Sequence, residues 1–97
     1  MTVPVELHPK AVEEARAIRL WYFEQSRLAA SVFVVELDKA IELIGQNPMT
    51  WLPYVHGTRR YLMRRFPFSV VYVEVGDRVQ IIAIAHARRR PGYWHPR

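Results

Sequence analysis

The sequence contains no cysteine among its 97 residues. This absence excludes disulfide bonds, thiol nucleophiles and cysteine-ligated zinc, and it is compatible with a reducing compartment. Long apolar runs are also missing, because Arg, Glu or Asp interrupts each apolar stretch before it reaches the ~20 residues of a membrane span. The first ten residues, MTVPVELHPK, lack the basic and apolar regions of a signal peptide. We therefore expect a cytoplasmic protein.

Lysine is scarce. Of the 14 cationic residues, Lys10 and Lys39 are the two lysines and the others are arginines. Nine acidic residues leave a net charge of +5, and most of the arginines follow Gly57. Arginine keeps its charge and binds phosphate or carboxylate through a fork of N–H groups. The surplus indicates a polyanionic target or an acidic partner, and solubility alone is the simpler alternative.

Length and apolar content predict one folded domain over residues 1–97. Helical periodicity predicts a first helix from about Pro9 to Ser26 and a second from about Ala30 to Gln46. The connection is short, so the two helices should form an antiparallel hairpin. Four acidic residues on these helices are expected to face solvent: Glu13, Glu14, Glu36 and Glu42.

Four strands are predicted around this hairpin: Val3–Leu7, Thr58–Phe66, Phe68–Val75 and Arg78–His86. An ordered loop, residues 49–57, precedes the last three, and a basic segment, Ala87–Arg97, follows them. The order β-α-α-β-β-β predicts an α+β fold, with the helical hairpin on one face of a mostly antiparallel four-stranded sheet. The other face should be open to a partner.

The last predicted strand places its side chains alternately on the two faces of the sheet. One set is Val79, Ile81, Ala83 and Ala85, and the other is Gln80, Ile82, Ile84 and His86. Alanine allows a helix to approach closely. We therefore expect the first set to face the helices and His86 to project from the open face.

Two segments resemble the ParE branch of the RelE/ParE toxins, the plasmid-stabilisation proteins. They are RRYLMRRFPFSVVY, residues 59–72, and IIAIAHARRRPGYW, residues 81–94; the earlier WYFEQS and the NP after the second helix agree with them. The resemblance spans nearly the whole chain and implies a microbial ribonuclease-like sheet with a helical hairpin. It also implies a type II toxin–antitoxin system, in which a cognate antitoxin wraps the toxin as a hetero-oligomer. The positive charge predicts an acidic, partly disordered antitoxin segment.

The resemblance leaves three functions open. ParE-like members inhibit DNA gyrase and are not known for nuclease chemistry, whereas RelE-like members cleave mRNA on the ribosome. A binding module that has lost toxicity is the third. RelE-like sites favour lysines on the middle strands, and no lysine follows Lys39 here. The motifs therefore favour the gyrase inhibitor.

Metal-free RNA cleavage needs a general base, a general acid and cations that stabilise the charged transition state. If the protein is RelE-like, the candidate catalytic residues are Arg64, Arg65, His86, Arg88 and Tyr93, with Glu74 a weaker choice. The candidate contacts to a target or antitoxin are Arg60, Arg64, Arg88, Arg89, Arg90, Tyr93 and Trp94. The simpler alternative is that the aromatic residues pack the basic segment onto the sheet. Histidine spacing fits no metal site, and glycine-rich phosphate loops are absent, so we expect neither metal nor cofactor.

Overall fold

The computed structural model describes residues 2–97, in which two helices pack on a mixed sheet. The elements are β1 (Val5–Leu7), α1 (Pro9–Gln25), α2 (Arg27–Gln46), β2 (Leu52–Tyr54), β3 (Thr58–Leu62), β4 (Phe68–Val75) and β5 (Arg78–His86), with a 3-10 turn at Val55–Gly57. The predicted α+β class and helical hairpin are confirmed. Neither helix of this described part combines the length and apolar character that crossing a bilayer requires.

A single residue, Ser26, joins the two helices. Its N–H donates to the carbonyl of Tyr22 (2.7 Å) and closes α1, while its Oγ accepts the N–H of Ala29 (3.2 Å) and caps α2. The second helix therefore begins at Arg27, earlier than expected, and the hairpin turns more tightly than its sequence suggests.

The sheet has five strands in the order β1-β5-β4-β3-β2, one more than predicted. Among the strand pairs of residues 2–97, β1 and β5 are parallel and the others are antiparallel. The additional strand β2 lies within the segment expected to be a loop, and Pro53 is tolerated there because β2 is an edge strand. His56 (φ 59°) and Gly57 (φ 70°) adopt left-handed backbone conformations that fold β2 back onto β3.

The main core lies between the helical hairpin and the sheet, and its fully buried members include Phe33, Ile44, Val70, Tyr72 and Ile81. A smaller cluster of buried residues occupies the other side of the sheet: Val71, Ile82, Ala83 and Trp94. Both faces of the central strands are therefore covered by apolar side chains.

A β-bulge changes the alternation that the sequence predicts for β5. Val71 pairs with Ala83, but its neighbour Tyr72 pairs with Ile81, so Ile82 is an extra residue. From that point the faces are exchanged. Ala83 joins the cluster away from the helices, whereas Ile84 belongs to the main core.

The bulge also moves His86 to the opposite face of the sheet from the one predicted. Its ring lies edge-on to Phe68 at 5.2 Å, and Phe68 packs against the main core beneath the helices. The prediction that the alanines face the helices and His86 the open side is therefore wrong, because two-residue periodicity cannot reveal a bulge.

Candidate functional site

A groove lies between α2 and the sheet edge formed by β2 and β3, and its volume is about 930 Å³. Its apolar lining includes Val32, Val35, Leu43, Leu52 and Leu62. Its cationic lining consists of Lys39, Arg60, Arg64 and Arg65. Val35 is 69% exposed and Leu62 is 51% exposed. A concave apolar surface with a charged rim is typical of an interaction site.

Glu36 of α2 fixes the chain at one end of the groove. Its Oε2 accepts the backbone N–H of Arg64 at 2.9 Å, and its Oε1 accepts that of Arg65 at 3.3 Å. These bonds lie just after β3, which ends at Leu62 and not at Phe66 as the sequence predicted. Both arginine side chains are exposed and belong to none of the ion pairs formed within residues 2–97. Glu36 is therefore not the solvated acid that the sequence suggested.

Arg60 and Arg59 are neighbours with different roles. Arg59 donates to the carbonyl of Trp51 at 2.8 Å and pairs with Glu74 at 3.7 Å, so its charge supports the fold. The guanidinium of Arg60 instead lies 4.1 Å from the ring centre of Tyr54. Its Nε is buried and finds no hydrogen-bond acceptor in the described chain. Because Arg60 lines the groove and forms no ion pair within residues 2–97, it is a candidate for binding an external anion through its guanidinium end.

The basic segment lies over the sheet face away from the helices. Trp94 is 3% exposed and packs against Val71, Ile82 and Ala83. The sequence predicted that this face would be open, and that prediction is wrong where Trp94 covers it. The groove of about 930 Å³ is lined by other residues than those that Trp94 covers.

Stacked rings and a glycine hold the basic segment in place. The imidazoles of His56 and His95 are parallel at 4.1 Å, and His56 meets Trp94 edge-on at 5.8 Å. Gly92 has a φ of 83°, and a Cβ there would lie 2.9 Å from Nε2 of His56. A glycine is therefore required at this turn.

Glu14 of α1 anchors the end of the same segment. Its carboxylate accepts the Tyr93 hydroxyl at 2.6 Å, the Ile84 N–H at 3.0 Å, and two N–H groups of Arg97 at 2.9 and 3.1 Å. Burial raises the pKa of Glu14, but the hydrogen bonds from Arg97, Tyr93 and the Ile84 N–H outweigh it, so the pKa lies below its ordinary value. The sequence-based expectation that Glu14 faces solvent is therefore wrong.

The acid–base candidates already have partners within the fold. Burial, followed by the bond to Glu14, raises the pKa of Tyr93 well above its ordinary value. Nδ1 of His86 accepts the N–H of Arg88 at 3.0 Å. The weaker candidate, Glu74, pairs with Arg59.

The structure separates the residues that the sequence grouped together. Arg60, Arg64 and Arg65 line the groove. The others belong to the basic segment or the strand end before it: His86, Arg88, Arg89, Arg90, Tyr93 and Trp94. Arg88, Arg89 and Arg90 are exposed, and Arg89 lies 3.8 Å from the ring centre of Tyr93. Within residues 2–97, no three His, Asp or Glu side chains are placed to hold a metal ion.

Sequence reasoning missed the groove and both anchoring acids. The sequence did contain one signal of the groove. Val32, Val34 and Val35 flank the core residue Phe33, so the apolar surface of α2 is wider than a single core-facing stripe. Glu14 has no such signal. Its partner Tyr93 is 79 positions away in the chain, and only the fold brings the two together.

Comparisons with known proteins agree with this architecture. The family model for the ParE toxin of the type II toxin–antitoxin system parDE matches residues 5–91. A search of curated proteins finds no match. Among solved structures, the chromosomal ParDE toxin–antitoxin system from P. aeruginosa is similar, with a TM-score of 0.77 and 21% identity over 88% of this chain and 96% of that chain. That structure supports the fold, and the family match covers most of the sequence. The chain belongs to the ParE toxin family of type II toxin–antitoxin systems.

Proposed function

We propose that this toxin acts by binding DNA gyrase and inhibiting it, and that a cognate antitoxin neutralises it. ParE-like proteins are associated with gyrase, and this chain is a member of their family. The observation that carries the proposal is that the acid–base candidates Tyr93 and His86 are hydrogen-bonded within the fold, which favours a binding protein over a nuclease.

A ribonuclease needs its acid, base and cations around one phosphate. Here the Tyr93 hydroxyl is committed to Glu14, and Nδ1 of His86 is committed to the Arg88 N–H. Arg64 and Arg65 lie beside α2, whereas Tyr93 is held by α1. These groups would have to leave their partners before they could share a substrate.

We also propose that the groove binds the antitoxin. Its apolar lining suits the apolar face of a segment that folds on binding. Its cations, Arg60, Arg64, Arg65 and Lys39, suit acidic side chains of the same segment, and Lys39 alone among them has an internal ion pair, with Glu42 at 3.3 Å. The occupant should therefore be amphipathic and acidic.

The test combines two assays on the purified protein. Supercoiling by purified gyrase is measured at increasing protein concentration, and a translation reaction with the same protein is mapped for mRNA cuts. The proposal predicts inhibition of supercoiling, no codon-phased cuts, and relief by the co-encoded antitoxin. Cuts without inhibition would support a RelE-like nuclease. The absence of both effects, and of growth arrest on expression, would support a non-toxic binding module.

A further inference from the structure

The backbone of β5 lacks a strand neighbour on one side beyond Ile81. β1 pairs with β5 only through residues 5–7 and 79–81. Two side chains complete the hydrogen bonding further along the strand: Glu14 accepts the N–H of Ile84 at 3.0 Å, and Arg97 donates to the carbonyl of Ile82 at 3.0 Å. Glu14 and Arg97 thus take the place that an extension of β1 would occupy.

The two side chains also bind one another. Glu14 and Arg97 are joined by two N–H···O contacts, and their side chains are 19% and 17% exposed. Charge-assisted bonds of this bidentate type hold both orientation and distance. Removing one partner leaves the other charge partly buried and unpaired. This pair therefore fixes the end of the basic segment against α1 and the sheet.

The same anchor extends to the exposed arginines. The Tyr93 hydroxyl binds Glu14, and the guanidinium of Arg89 lies 3.8 Å from the Tyr93 ring centre. Arg88, Arg89 and Arg90 are adjacent in sequence and exposed, and none of the carboxylates in residues 2–97 forms an ion pair with them. Three neighbouring like charges repel each other, and the described residues form no ion pair that would offset this repulsion. An external acidic surface would supply the counter-charge.

We infer that Glu14 is a positioning residue: through Tyr93 and Arg97 it holds the basic segment so that Arg88, Arg89 and Arg90 face an acidic surface of the toxin's protein target. This inference rests on the proposed function for the identity of that target. It assigns target binding to the basic segment and leaves the groove to the antitoxin, so the two contacts are made by different surfaces.

The test compares Glu14→Ala and Glu14→Gln with Glu13→Gln. Glu13 is the adjacent acid, but it is exposed and its partner is Lys10 at 3.6 Å. The first readout is tryptic cleavage between Arg88 and Arg90, followed by mass spectrometry with folding monitored by circular dichroism. Loss of the hydrogen bonds to a charged group should increase cleavage by about tenfold or more in Glu14→Ala. Glu14→Gln should show a smaller increase, and Glu13→Gln should match the wild type.

The second readout is growth arrest on expression, which does not depend on knowing the target. Gyrase inhibition and binding of the antitoxin are measured in parallel. We expect Glu14→Ala to weaken growth arrest and gyrase inhibition while antitoxin affinity stays unchanged. A combined Arg88→Ala, Arg89→Ala and Arg90→Ala variant should lose toxicity while its circular-dichroism spectrum stays that of the wild type.

The outcomes separate the two proposals. If the wild type arrests growth but does not inhibit gyrase, the proposed target is wrong, and the Glu14 variants still test the anchor through toxicity. If Glu14→Ala leaves the segment as resistant to trypsin as the wild type, the anchor is wrong. Full toxicity in the triple arginine variant, or a wild type without any toxicity, would overturn the role of the segment in target binding.

Discussion

The ring centre of Trp94 lies 6.3 Å from that of Tyr54, and the guanidinium of Arg60 lies 4.1 Å from the same Tyr54 ring. Tyr54 therefore connects the packing of the basic segment with a cation that lines the groove. The family assigns a toxin to this fold, and this contact shows that its two candidate surfaces are neighbours.

Trp94→Ala should lower the free energy of unfolding by about 3–5 kcal/mol, because a large buried aromatic side chain is removed from Val71 and Ile82. Urea denaturation measures the effect. Trp21→Ala is the matched control, since Trp21 is 57% exposed and should change stability by much less. Equal effects of the two substitutions would mean that Trp94 does not pack on the sheet.

Val35→Glu should weaken antitoxin binding by about tenfold or more, because it places an acidic group on the apolar surface that we propose for an acidic segment. Isothermal titration with the co-encoded antitoxin gives the dissociation constant. Val75→Glu is the control, since Val75 is also exposed, at 51%, but lies at the end of β4 away from the groove lining. If Val35→Glu binds as tightly as Val75→Glu, the antitoxin occupies another surface.

Glu14 should make the fold sensitive to acid. Its folded-state pKa lies below the ordinary value of 4.5, so the stabilisation that it contributes is present above that value and is lost as the pH falls through the folded-state pKa. Glu14→Gln should therefore show a smaller loss of stability between neutral and acidic pH than the wild type. Thermal denaturation across this range measures the difference. An unchanged pH profile in Glu14→Gln, with Glu13→Gln as reference, would contradict the assignment.

Tyr72 should make the stability of the fold sensitive to alkaline pH. Burial raises the pKa of its hydroxyl to about 12, and the hydroxyl donates to the carbonyl of Pro48 at 2.6 Å. This stabilisation is present below the ordinary value of 10 and is lost as the pH rises through about 12. Tyr72→Phe should cost about 1–3 kcal/mol at neutral pH because the Pro48 carbonyl loses its donor. Its alkaline loss of stability should be shallower, and denaturation at alkaline pH checks this.

Regular elements were predictable from local sequence patterns. Helical periodicity identified both helices, and the turn at Gly76-Asp77 identified β4 and β5 with the bounds that the structure shows. Ser26 shows the limit of such patterns. It ends α1 and caps α2, but in the sequence it looks like an ordinary break between helices. Three-residue β2, which contains Pro53, has too little pattern to distinguish it from a loop.

Features that depend on distant contacts were not predictable. The bulge at Ile82 depends on its pairing with β4, and it exchanges the faces of every residue that follows in β5. Glu36 bonds to the chain 28 positions later, and Glu14 bonds to Tyr93 after 79 positions. Residue type alone cannot reveal such partners, so the sequence correctly indicated the ParE toxin family but misplaced the free surface.

The most direct measurement of the central claim is supercoiling by purified gyrase, in a reaction without ribosomes or mRNA, as the wild-type protein is added. We predict that inhibition rises with protein concentration and that Arg88→Ala, Arg89→Ala and Arg90→Ala together weaken it by about tenfold or more, as loss of charged contacts should. Unchanged supercoiling at saturating wild-type protein would contradict the account of this toxin as a gyrase-binding inhibitor.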